Sequence, residues 1–420
     1  MGSVAYSEWK FCGLNLWQQV LVGMILGVVL GLVLGENAAS LKVLGVIFFK
    51  LIKMVVAPLI FFALISGITS LTEAHHFKAI VIKGTFGYLM TAIIAVSMGL
   101  ALGTIFKPGV GVAPPPSSVD STISPMPSAG TPPSVGDFLM QLIPSNIIHA
   151  MAEDMYLQIV VFAIFTGIVM NNIRGNTAGI KELNAELCHV TFKMIEWVVR
   201  VAPLAVFGFI AAMVGTTGLE VLWSLLRLVV LVVGACVLQY FFFGLLIWVF
   251  ARMSPLPFYR KMITTQLMAF STSSSKATLT TAMRELQDRM GVSISSSNFM
   301  MPLGACINMD GTAIYLGIVS VFFAQMYGIN LEMTDYFMLL LTCTLGSIGA
   351  AGIPSGSIIF MGMVLTSVGI PMEGVAMILG IDRVLDMFRT TVNITGDAAI
   401  TLIVDKTENS LDTELYHSKL

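Results

Sequence analysis

Charge is scarce in this sequence. Asp, Glu, Lys and Arg make up 11% of its 420 residues and apolar residues 56%, whereas a soluble domain carries about 25% charged residues. So little charge cannot cover the surface of a soluble body this size. The composition excludes that class and leaves a polytopic membrane protein whose bulk faces lipid. The balance of 22 Lys+Arg against 24 Asp+Glu gives a net charge of −2, which argues against a nucleic-acid partner. Cysteine is also sparse. Cys12, Cys188, Cys236, Cys306 and Cys343 are scattered among apolar neighbours, without the spacing of a metal site or a disulfide framework. The five histidines (His75, His76, His149, His189, His417) lie near loops. No Ser/His/Asp arrangement, metal-type His cluster or cofactor loop is present, so an enzyme is not expected. No small-residue cleavage site follows the first apolar run near Leu14, so a retained span is expected there. The final Ser418-Lys419-Leu420 matches a peroxisomal tripeptide, a match short enough to arise by chance.

What the sequence has in quantity is long apolar runs. Spans are expected at about 14–35, 41–70, 79–106, 137–173, 190–216 and 220–251; several exceed the ~20 residues that cross a bilayer, so tilt is expected. Residues 107–136 are rich in Pro, Ser and Gly, including Pro114-Pro115-Pro116 and Pro132-Pro133, and read as a flexible surface loop. Neither Lys nor Arg occurs between Lys107 and Arg174, which puts that loop outside. Arg174, Lys181, Lys193, Arg252, Arg260 and Lys261 mark inner segments, and Lys10 and Lys406 put both termini on the cytoplasmic side of the cell membrane.

The last third departs from ordinary spans. Residues 271–275 read STSSS and residues 346–357 read GSIGAAGIPSGS, each within apolar flanks. Irregular backbone at membrane depth is tolerated only where it is buried in protein or lines a cavity. The two breaks therefore suggest a pair of re-entrant hairpins around a midplane site; the alternative is two water-exposed loops. Residues 293–297 (SISSS) read as an ordinary inner loop and helix cap.

Chemistry concentrates near the C-terminus. Asp386, Arg389, Asn393 and Asp397 follow Asp382 at offsets of 4, 7, 11 and 15. At 100° per residue they share a stripe about 80° wide, with Arg383 off it. Four such charges facing lipid would cost on the order of 10–14 kcal/mol, at roughly 2.5–3.5 each. The stripe must face protein, ligand or ions. The bland alternative is an Asp386–Arg389 pair that only stabilises packing. In the span before it, Asn308-Met309-Asp310-Gly311-Thr312 breaks a helix and exposes carbonyl oxygens beside a carboxylate and an amide. These are hard ligands for a hard cation, and so few carboxylates favour a monovalent one; in a soluble protein the same residues would be a turn.

STSSSKATL (271–279), PLGACINMDGTAIY (302–315), SIGAAGIP (347–354) and DRVLDMFRTTVNITGD (382–397) together resemble the dicarboxylate/amino acid:cation symporter family, which includes the excitatory amino-acid transporters and their prokaryotic relatives. The resemblance covers nearly the whole chain. It implies an all-α polytopic membrane protein: eight transmembrane helices, two re-entrant helical hairpins, inverted repeats, and a homotrimer whose transport domains slide elevator-fashion against a fixed scaffold. It divides the chain into scaffold and trimerisation helices (1–78), a transport-domain helix (79–106), the external loop (107–136), scaffold helices (137–219), the rest of the transport domain (220–404) with hairpins near 254–288 and 333–369, and a cytoplasmic tail (405–420).

Carried over by motif, the resemblance implies that Arg389 binds a side-chain carboxylate, a task that suits a planar fork, and that Asp386 binds an α-amino group. Ser274, Ser275 and Ile353 would cradle the α-carboxylate, and Thr312, Thr390 and Asn393 would complete the pocket. The implied substrate is aspartate or glutamate. Gly304, Asn308, Asn393 and Asp397 resemble one sodium site; Cys306, Ser347, Ile348 and Ala350 a second; Tyr88, Thr91, Asn308 and Asp310 a third. Asp397 and the intact NMDGT favour sodium as coupling ion over a proton, with no other cofactor. Four positions depart from the family pattern: Ala92 where sodium-coupled members place a hydroxyl, Lys276 where a small or acidic residue is usual, Thr280 for Pro, and Leu316 for the acidic residue of animal members. Lys276 either modulates charge at the site or snorkels to water. An ion channel on the same fold is the reading from another class.

Overall fold

The computed structural model describes residues 16–69, 78–112, 143–153, 155–173, 177–349 and 356–418, with Pro114 and Met140 besides. Among these residues every regular element is helical. Among the described residues four stretches are long and apolar enough to cross a bilayer: Gln18–Phe48, Ile82–Phe106, Leu222–Ala251 and Ile294–Met326. The protein is turned inside out relative to a soluble one. Ile25 and Val33, Phe86 and Ile105, and Phe241, Trp248 and Phe250 are each more than half exposed on the outside, whereas Asp310, Arg389 and Asp397 are fully buried.

Helix α1 (Leu16–Leu34) ends at Gly35, whose φ of +54° suits glycine, and a 3₁₀ turn leads into α2 (Lys42–Thr69). Helix α3 (Lys78–Phe106) stops just before Lys107-Pro108, where a proline cannot continue a helix. The expected span at 137–173 is not one helix. Pro144-Ser145-Asn146 interrupts it; Asn146 caps α4 (Ile147–Ala152) by accepting from the Ile148 and His149 amides at 2.9 and 3.3 Å, and α5 (Tyr156–Asn172) follows. The expected span at 190–216 likewise straddles a break: α6 (Ala178–Val199) begins well before it, and α7 (Ala202–Thr217) restarts with Pro203 in its first turn, a position proline favours. The span at 220–251 is α8 (Glu220–Leu246), closed by a π-type turn over Ile247–Ala251.

Beyond α8 the helices are α9 (Leu256–Lys261), α10 (Ile263–Thr272), α11 (Ser275–Met290), α12 (Ile294–Ile307), α13 (Asp310–Met326), α14 (Met333–Gly349), α15 (Gly356–Ser367), α16 (Val375–Thr407) and α17 (Thr413–His417). Helices α10 and α11 pack on one another across the two-residue turn Ser273-Ser274, and α14 packs on α15. Ser293 caps α12 by accepting from the Ser296 amide at 3.2 Å, as expected of 293–297. Residues 294–297 are already helix, however, with Ser296 and Ser297 buried. Helix α16 runs past 404 to Thr407, and Asp405 and Tyr416, within the stretch expected as a tail, are buried.

Two packing regimes follow. In the first, α1 lies along α7: a Cβ on Gly23, Gly27 or Gly31 would come within 2.6–2.7 Å of the carbonyl oxygens of Pro203, Phe207 and Ala211. Glycines four apart share a helix face and let two backbones touch, the usual packing where lipid supplies no hydrophobic drive between helices. In the second, α16 is enclosed by α8, α10, α11, α12 and α13, and α3 lies along α13. Every residue from Val392 to Leu402 of α16 is buried, so the polar stripe faces protein.

Candidate functional site

The site starts from a break in a helix. Between α12 and α13, Asn308 (φ −101°, ψ 83°) and Met309 (φ −114°, ψ 54°) leave the helical region. The last carbonyls of α12 and the first amides of α13 thereby lose intrahelical partners, and α16 supplies one replacement: the Gly311 amide donates to Asn393 Oδ1 at 2.8 Å. Glycine is required on either side of the break. A Cβ at Gly311 would stand 2.5 Å from the Arg389 carbonyl oxygen, and one at Gly304 would stand 2.7 Å from Asp397 Oδ1 and 2.9 Å from the Tyr88 hydroxyl.

Around the break lies a cluster of buried oxygens. Asn308 Nδ2 donates to Asp397 Oδ1 at 2.9 Å, and Thr91 Oγ1 donates to Asn308 Oδ1 at 3.2 Å and to the Tyr88 carbonyl at 3.1 Å. The Tyr88 hydroxyl donates to the Met300 carbonyl at 3.0 Å, and Thr401 Oγ1 to the Asp397 carbonyl at 2.6 Å. Gln239 Nε2, from α8, donates to Asp310 Oδ2 at 2.9 Å. The second oxygens, Asp397 Oδ2 and Asp310 Oδ1, make no hydrogen bond among the described residues. Two fully buried carboxylates with a spare oxygen each and no basic partner are costly unless a cation joins them. The donor set, all oxygen with few carboxylates, suits a hard monovalent cation. Among the described residues no trio of His, Cys, Asp or Glu is gathered as for a transition metal.

Two helical turns back along α16 from Asp397 the chemistry changes sign. Arg389 is fully buried, with Nη1 on Asp382 Oδ1 and Nη2 on Asp386 Oδ1, both at 2.9 Å. Its guanidinium carbon lies 4.0 Å from the Tyr315 ring centroid, a cation–π contact. Arg383 was expected off the stripe. Its side chain instead reaches back: Nη1 is 3.7 Å from Asp386 Oδ2, and Nη2 is 3.5 Å from the Thr272 carbonyl at the end of α10. A long flexible side chain overrides the wheel angle of its Cα. Thr312 and Thr390 are buried, the first at the start of α13 and the second on α16. Asn393 links the two clusters: it lies four residues from both Arg389 and Asp397, ~6 Å along the helix in each direction.

Other expected residues fall around the rim. Ser273 turns left-handed (φ 51°) at the end of α10, and Ser274 caps α11 by accepting from the Ala277 amide at 3.3 Å. Ser275 is buried and Lys276 exposed. Cys306 is half-buried near the end of α12 and Ile348 half-buried near the end of α14. Ser347 is buried and donates within α14 to the Thr344 carbonyl at 2.8 Å. Ile353 and Ala350 lie outside the described residues. Sequence reasoning gave no role to Gln239, Tyr315 or Arg383, and placed Asp382 on the stripe without making it a partner of Arg389. A lone glutamine in the apolar run of α8 is a signal that could have flagged the first, since an amide in a span needs a partner.

The whole molecule has known relatives. The profile of the sodium:dicarboxylate symporter family matches residues 16–407. The chain is 32% identical over 378 residues to the proton/glutamate-aspartate symporter of Escherichia coli (strain K12), covering 88% of this chain and 85% of that one. It is 33% identical over 404 residues to a C4-dicarboxylate transport protein of Rhodospirillum rubrum (95% and 90%), and 32% identical over 414 residues to a C4-dicarboxylate transport protein of Pseudomonas syringae pv. tomato (97% and 88%). A buried cation-ready break, an arginine with carboxylate partners and a match over almost the entire chain converge on one conclusion: this integral membrane protein belongs to the sodium:dicarboxylate symporter family, a family of transporters.

Proposed function

We propose that the protein is a secondary active symporter that imports an acidic amino acid, glutamate or aspartate, across the cell membrane with a cation, sodium in preference to a proton. The observation that carries this reading is the arrangement on α16: Asp386 and Arg389 two turns and one turn from Asn393, which is one turn from Asp397. A substrate with two carboxylates and an amine meets a guanidinium and a carboxylate at one end of the stripe. A cation meets Asp397, Asp310 and Asn308 at the other, and Asn393 and the Gly311 amide make binding at either end felt at the other. The opposed charges of substrate and ion would each lower the burial cost of the other.

The second reading is transport of a C4-dicarboxylate lacking the amine. Two observations favour it: the relatives of that description, and the engagement of Asp386 by Arg389, which leaves it no need of an ammonium. Proton coupling has support in the relative described as a proton/glutamate-aspartate symporter. The turn between α10 and α11 and the pairing of α14 with α15 support two re-entrant hairpins gating the site from its two sides. A homotrimer, with a transport domain of α3 and residues 220–404 moving against a scaffold of α1, α2 and α4–α7, fits the two packing regimes. The test is competition. Uptake of labelled aspartate into liposomes should be blocked by unlabelled glutamate and aspartate and far less by succinate. Equal or stronger block by succinate transfers the assignment to the C4-dicarboxylate reading.

A further inference from the structure

Gln239 is fully buried in the middle of α8, in a stretch that from Leu228 to Ala251 is otherwise apolar except for Tyr240. Leu228, Val232, Ala235 and Phe243 of the same helix are themselves buried, so α8 is held by apolar contacts and does not need an amide to dock. An amide at that depth costs free energy unless its groups are paired. One group is: Nε2 donates to Asp310 Oδ2 at 2.9 Å. Gln239 Oε1 and Asp310 Oδ1 have no partner among the described residues. The bond is therefore made to one oxygen of a carboxylate whose other oxygen is left open, next to the break where Asn308 holds Asp397.

We propose that Gln239 is a positioning residue of the cation site. Its amide N–H fixes the rotation of the Asp310 carboxylate, so that Oδ1 stays directed to the ion. Carboxylates that bind cations are held by hydrogen bonds from a further layer of residues, and loss of such a partner weakens ion binding about 10–100-fold. Gln239 touches neither ion nor substrate in this role; it acts through Asp310. The proposal rests on the sodium reading above.

The test is thermal stability of the purified protein as sodium replaces choline, because an ion that binds only the folded state stabilises it by RT ln(1 + c/Kd) at sodium concentration c, so the sodium midpoint, the concentration at which that stabilisation reaches RT ln 2, reads Kd. The variants are Gln239→Met, which keeps length and apolar packing but removes the amide, and Gln239→Asn, which keeps an amide on a shorter stem. The parent should be stabilised by sodium. Gln239→Met should raise the sodium midpoint about tenfold, with Gln239→Asn between, while Tm in choline changes little. A purely packing role would do the reverse, lowering Tm in choline and leaving the sodium midpoint in place. A sodium-responsive parent with unshifted variants overturns the role of Gln239 and leaves the sodium reading standing. A parent that sodium does not stabilise overturns the sodium reading and this proposal with it. If Gln239→Met does not fold, Gln239→Asn decides: a midpoint raised about threefold supports the role, and an unchanged midpoint overturns it.

Discussion

The α1–α7 pair and the α12–α13–α16 core solve opposite problems with the same residue type. In the outer pair, Gly23, Gly27 and Gly31 let two intact apolar helices touch along carbonyl oxygens, and neither helix carries a charged residue. In the core, Gly304 and Gly311 let a broken helix touch a charged one, and buried oxygens accumulate at the contact. A glycine in the first region affects stability alone, whereas a glycine or polar residue in the second affects stability and ligand binding together. The lesson is that in lipid, close backbone approach is structural until one of the backbones is interrupted. The interruption then turns it into a site.

Substitutions can break that comparison. The largest effect is expected from Arg389→Cys. It leaves Asp382 and Asp386 buried without their guanidinium, a loss of about 3–5 kcal/mol where one partner of a buried pair is removed. Uptake of acidic substrate should be abolished, and neutral amino acids should enter in its place provided the fold survives, which a Tm measurement checks. Unchanged aspartate affinity would remove Arg389 from the site. Gly27→Leu should come next, and on the other side of the comparison: its side chain meets the Phe207 carbonyl, where a Cβ alone would stand 2.7 Å away, and overpacking costs about 1–3 kcal/mol. Tm should fall by several degrees with the half-saturating sodium concentration unaltered. A shift in sodium dependence would erase the distinction between the two regions.

Asp397→Asn sharpens the comparison from within the core. The amide keeps size and one acceptor but removes the charge, so half-saturating sodium should rise about tenfold, ~1.4 kcal/mol, with the protein still folded. An unaltered sodium requirement removes Asp397 from the ion site and makes proton coupling the better account. The smallest effect belongs to Lys276→Ser. Lys276 is exposed at the α10–α11 turn, where solvent screening weakens its charge. If its ammonium substitutes for an ion's charge at the site, the variant should need about twice the sodium or move more sodium per substrate; identical dependence and stoichiometry leave a snorkelling side chain.

Much of the core was legible because its signals are periodic or locally forbidden. Asp382, Asp386, Arg389, Asn393 and Asp397 fall on one helical face by simple rotation, and an Asn-Met-Asp-Gly run cannot continue a helix through an apolar segment. Helix ends were less legible in the outer half. Hydropathy alone ran through Pro144-Ser145-Asn146 and through Arg200-Val201, where a cap and a first-turn proline restart the chain. The reach of Arg383 to Asp386 and Thr272, and the bond from Gln239 to Asp310, were not legible. Each depends on how a side chain extends or on which helix lies opposite, and sequence spacing carries neither.

The most direct test of the central claim is accumulation of labelled aspartate by purified protein in liposomes under sodium and proton gradients imposed separately. Accumulation against a concentration gradient under inward sodium alone, saturable and abolished in Asp397→Asn and Arg389→Cys, is the predicted result. Accumulation driven by a proton gradient alone, with sodium without effect, would contradict it.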